Sequence, residues 1–134
     1  MMSIKKQIEY WRESAQESHK TMLALKKTGR YSDSLFFGHI VLEKILKAFV
    51  VLKTNDNAPK IHNLLRLAEL ADIKLEKDTK EYFLVANSFN IRARYDDYKK
   101  SFYKKCTKEY VEDNLAKIES IYKKLCQQLK QKIL

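Results

Sequence analysis

Two glycines and one proline in 134 residues leave this chain very few places to turn: only Gly29, Gly38 and Pro59 break the backbone. A sandwich or barrel of many short strands needs a turn residue every few positions, and these are missing. The chain is therefore expected to be all-α. Its length suits one ordinary domain spanning residues 1–134 rather than two.

Helical periodicity supports that reading. Ile8, Trp11, Ala15, Ser18, Met22 and Leu25 recur in steps of four and three, which predicts a first helix with one buried stripe. It should end at Lys27-Thr28-Gly29, with Gly29 in the left-handed conformation that a Cβ resists. Ser32 or Asp33 is the expected cap of a second helix, whose apolar residues from Leu35 to Val50 cover so much of its circumference that it must be central. Gly38 lies inside this helix, where another backbone is expected to approach closely. A loop at residues 54–59 should lead to a short third helix over residues 62–71 and a fourth over 78–90, with Tyr82, Phe83, Ala86 and Phe89 inward. Residues 91–107 lose the pattern and read as a long irregular connection. A last helix follows, with Val111, Leu115, Ile118, Tyr122, Leu125 and Leu129 on one face. The sum is an up-and-down antiparallel bundle of about five helices.

The formal charge of +10 favours nucleic acid, nucleotide or an acidic protein as partner, although much of it can be a solvated lysine surface. No apolar run approaches the roughly 18–20 residues of a membrane span, and the polar N-terminus carries no signal-peptide core. A cytoplasmic protein is expected. Cys106 and Cys126 have no zinc-ligand spacing, and Glu9, Glu13 and Glu17 read as a solvated helix face, so neither metal nor cofactor is expected. Phosphate-binding glycine loops, zinc-protease helices and the serine nucleophile elbow are all missing from the sequence.

Two constellations can carry chemistry. His39, Glu43 and Lys47 are spaced four apart and rise along one face of the second helix, with Glu before Lys in the favourable order. They form either a partly buried ion pair or one wall of an anion site. The second constellation is the run from Asn90 to Tyr98, where Arg92, Arg94, Tyr95 and Asp97 gather. Arginine forks bind phosphate and tyrosine faces stack on bases, whereas a local Arg94–Asp97 ion pair is the plainer alternative. Tyr95, Tyr98, Tyr103 and Tyr110 interleave with lysines, as either a single-strand RNA surface or core and rim. His62 stands beside a helix start and joins the candidates.

The turn at Gly29 followed by Tyr31, then Glu43, Lys44, Lys47 and Ala48 in an E-K-x-x-K-A order, resembles the core of the HEPN domain family. His62-Asn63-Leu64 is similar to that family's H-x-L step, and Arg94, Tyr95 and Asp97 to its R-Y-x-D segment, so the likeness covers roughly residues 11–125. Many such proteins are metal-independent RNases with an Arg, four to six residues, then His. Here Asp97, Tyr98, Lys99, Lys100 and Ser101 fill those positions after the arginines, no His follows His62, and no catalytic residue is assigned. The resemblance implies a binding domain for nucleotide or RNA phosphate, a homodimer, and a minimal nucleotidyltransferase as partner protein. An RNase or toxin component, and a purely structural interaction module, are the alternatives.

Overall fold

Helix α1 (Ile4–Lys27) starts where Ser3 Oγ accepts the amide of Lys6, and it ends in a Schellman turn. The Arg30 amide reaches Leu25 O at 2.8 Å and the Gly29 amide reaches Lys26 O at 3.1 Å, with Gly29 at φ +80° as expected. The computed structural model describes residues 2–133, the side chain of Asp96 excepted.

Helix α2 (Tyr31–Thr54) follows immediately and is the central element, with Leu35, Val41, Leu42, Ile45, Leu46 and Ala48 fully buried. Neither Ser32 nor Asp33 caps it. Arg30 holds the cap position, Asp33 lies in the first turn, and its carboxylate accepts both Nε and Nη2 of Arg30, where a negative charge also favours the helix start. Ser34 Oγ donates to Met22 O at 2.8 Å, Lys44 Nζ donates to Ser18 Oγ at 2.8 Å, and Lys47 stands over Trp11. These contacts run α2 antiparallel to α1 and give Lys44 of the E-K-x-x-K-A segment a packing role.

Helix α3 (Leu64–Leu70) is shorter than expected, because Asn63 rather than His62 is its boundary. Asn63 Oδ1 accepts the amides of Leu65 and Arg66, which leaves His62 outside the helix with its carbonyl available. Helix α4 (Lys77–Arg94) buries Tyr82, Phe83, Ala86 and Phe89 as anticipated, then continues past Asn90. Helix α6 (Lys108–Ile133) buries Val111, Leu115, Ile118, Leu125 and Leu129. Ion pairs from Lys26 to Glu112 and from His19 to Glu119 set α6 antiparallel to α1 and thus in the direction of α2.

Residues 91–107 are the main departure from the sequence reading. They are helical through Lys105 but for a break at Tyr95, whose extended backbone (φ −95°, ψ 129°) separates α4 from a sixth helix, α5 (Asp96–Lys105). Among the described side chains of α5 only Phe102 is fully buried, so the helix displays no apolar repeat to read. Its ring meets Phe89 with centroids 5.7 Å apart. The approach to Gly38 also differs from expectation. A side chain comes close rather than a backbone: a Cβ at Gly38 would lie 2.5 Å from Ile118 Cδ1, so the glycine opens the space that α6 fills. Among the described residues no helix is long and apolar enough to cross a membrane.

Candidate functional site

The stripe on α2 is built from the inside outward. Glu43 is buried, and both of its oxygens are engaged: Oε2 accepts Lys47 Nζ at 3.1 Å and Oε1 accepts His62 Nδ1 at 2.9 Å. Lys47 is itself buried, and its ammonium stands 5.2 Å from the centroid of the Trp11 ring. A buried ion pair persists only when further hydrogen bonds satisfy it, and here the imidazole supplies one. The stripe therefore does not face a second helix or solvent alone. It faces the loop that carries His62.

That loop is held from three directions. His39 Nε2 donates to His62 O at 2.9 Å, Glu43 holds the ring, and α4 contributes Asn87, whose Oδ1 accepts the Leu64 amide at 2.9 Å while its Nδ2 donates to Asn63 Oδ1 at 3.1 Å. Because a carbonyl only accepts, His39 carries its proton on Nε2. Its Nδ1 is buried without a hydrogen-bond partner, 3.8 Å from Glu43 Oε1. The His62 side chain is 54% exposed, so with Nδ1 committed to Glu43 the ring is presented to solvent in a fixed orientation.

Burial holds the His39 pKa below its ordinary value; the Glu43 charge opposes this, and the positive charge of Arg94 adds to it. An unfolded chain takes up this proton near pH 6.5, whereas the folded chain resists it to lower pH. The contribution is present above that value and is lost as pH falls through the folded pKa. Thermal melts of the wild type are thus expected to decline from pH 7 toward pH 5 more steeply than those of His39→Gln, which keeps a donor for the His62 carbonyl; equal slopes would refute this.

Arg94 belongs to the same neighbourhood. Its guanidinium stands 5.7 Å from the Phe36 ring centroid, one turn before His39 on α2, and its charge is felt at His39. No Arg94–Asp97 ion pair forms between these two described residues, contrary to the plainer expectation: the guanidinium is drawn back onto α2, while Asp97 is exposed in the first turn of α5. Arg92 points the other way. Two residues along a helix are about 200° apart, and Arg92 stands 5.0 Å from the Phe102 ring centroid, beneath α5. Tyr95 is 59% exposed at the break between them.

The candidates therefore divide. His39, Glu43, Lys47, His62 and Arg94 share one face; Arg92 lies on another; Tyr95 and Asp97 occupy the corner. Asn87, Trp11 and Phe36 are contributors that the sequence reading passed over. Asn87 had a usable signal, since it precedes Arg94 by seven residues and so shares its face of α4. The two cysteines are free thiols whose pKa burial raises, that of Cys106 to about 11, which makes them unreactive at neutral pH. Among the described residues no group of acidic, His and Cys side chains could hold a metal ion.

In comparisons with known proteins, a family model described as HEPN domain matches residues 8–129. No curated protein and no solved structure matches the chain.

Proposed function

The chain belongs to the HEPN domain family, and from that premise we propose that it is a binding domain for the phosphate of a nucleotide or RNA, with Arg94 and His62 as the groups that meet the ligand. The observation that carries this reading is the convergence of His62, fixed by Glu43, and Arg94, laid against Phe36, on one face of α2. Lys47 is excluded from direct contact by its burial and instead neutralises Glu43. That pairing leaves the Arg94 guanidinium to set the sign of the local field, which suits an anion. A homodimer, a cytoplasmic location and a minimal nucleotidyltransferase as partner protein belong to the same proposal.

Binding of a fluorescent single-stranded RNA or of nucleoside phosphates at low salt is the test. Arg94→Ala should weaken it by about tenfold to a hundredfold, the range for a charge-assisted contact. Unchanged affinity would overturn the proposal. A specific observation also keeps the enzymatic alternative in view: a buried carboxylate orienting a half-exposed imidazole is the arrangement of a positioned proton carrier. RNA cleavage in the presence of a chelator, lost in both Arg94→Ala and His62→Ala, would make the protein an RNase instead.

A further inference from the structure

Half of the net charge of the chain lies in residues 92–108, which carry seven basic side chains against two acidic ones. The structure turns this run into the corner between α4 and α5, and the large side chains exposed there are aromatic. Tyr95, Tyr98 and Tyr103 are 59%, 50% and 73% exposed, whereas Tyr110 is half-buried with the Lys105 ammonium 5.4 Å from its ring centroid. A lone exposed tyrosine means little, but three on one short helix and its entry, spaced among lysines, leave apolar ring area uncovered in a strongly positive field.

The corner also contains a recess. Ser88 and Ile91 of α4, together with Arg92 and Tyr98, line a cavity of about 350 Å³. Its lining is almost entirely apolar surface, which suits the face of a base. The Arg92 guanidinium is held over the Phe102 ring beside the recess.

We propose that this recess is a nucleobase slot and that the ligand of the domain is a single-stranded nucleic acid rather than a mononucleotide. The proposal rests on the phosphate site at Arg94 and His62 and extends it. Arg94 and Arg92 point to opposite sides of the last turn of α4, with Tyr95 between them at the corner. A strand anchored by one phosphate at Arg94 passes over Tyr95 and seats a base between Tyr98 and Ile91. Lys100 and Lys104, both exposed on the outer side of α5, face the backbone that follows. Stacking on tyrosine is open to any base but requires that base to be unpaired, and this selects single strands over duplexes. An acidic protein segment would satisfy the lysines but has no use for the rings and slot.

Fluorescence anisotropy with a labelled twelve-nucleotide RNA, the same sequence as a duplex, polyglutamate and UMP tests this. Tyr98→Ala should weaken the single strand about tenfold and leave UMP unchanged, Tyr98→Phe should preserve affinity, and Lys100→Gln with Lys104→Gln should flatten the salt dependence by about one unit per lysine. Arg94→Ala should weaken both RNA and UMP. If Tyr98→Ala has no effect while Arg94→Ala does, the slot is refuted and the phosphate site stands; the converse keeps the slot and removes the phosphate site. Equal binding of duplex and single strand, displacement by polyglutamate with the same Tyr98 dependence, or no binding of the single strand by the wild type at low salt would each overturn the slot.

Discussion

Glu43→Ala is expected to lower stability by about 3–5 kcal/mol, the range for breaking a buried ion pair by removing one partner. The substitution leaves Lys47 buried against Trp11 with no counter-charge and frees His62 from the carboxylate that orients it. Pairing the change with one at Lys47 separates the two effects. In Glu43→Leu/Lys47→Met both charges go, the apolar volume is roughly kept, and the loss should fall well below that of the single variant. Urea denaturation measures both. A single variant within about 1 kcal/mol of wild type would mean that water already reaches the pair.

Phe102→Ala has the second large effect, and it should be confined to one region. A fully buried Phe reduced to Ala costs about 3–5 kcal/mol, and among the described side chains of α5 only Phe102 reaches the core completely. The same ring carries the Phe89 contact and the Arg92 guanidinium, and both disappear with the phenyl group, leaving Cys106, buried just beyond the helix, to help hold it. Hydrogen exchange should therefore lose its protection across Asp96–Lys105, while α1 and α2 retain theirs. The same variant should weaken RNA through the slot, because Tyr98 loses its fixed place beside Ile91. Equal loss of protection in all helices would show instead that α5 is an integral part of the cooperative unit.

The contrast between α5 and the long helices explains what was legible in advance. Helices α1 and α6 repeat a buried or half-buried residue every three or four positions and α2 is buried over most of its circumference, and these patterns survive in the sequence because packing acts along the whole element. Helix α5 depends on one anchor, and one anchor has no period. The start of α2 differs from the expected one for a local reason: Ser32 and Asp33 have the chemistry of caps, but the turn at Gly29 delivers the chain into helix two residues earlier. For the site, the alignment of His39, Glu43 and Lys47 follows from spacing alone. The bonds from His62 to Glu43 and from Asn87 to the Asn63-Leu64 step join residues 19 to 24 positions apart, and nothing local announces them. Arg92 and Arg94 looked alike in the sequence and separate only when α4 continues through both.

The sharing of Glu43 among Lys47, His62 and the edge of His39 has a meaning for the history of the chain as well as for its energetics. A lineage that replaces the carboxylate strands a cation and releases a loop in the same step, so positions 43, 47 and 62 are not free to drift one at a time. Related chains are expected to have inherited the set whole or exchanged it as a block, with apolar residues at 43 and 47 accompanied by a position 62 that no longer needs an imidazole. Lys100 and Lys104, exposed on α5, lie outside that set, and they can vary from one relative to the next while the helix beneath them persists.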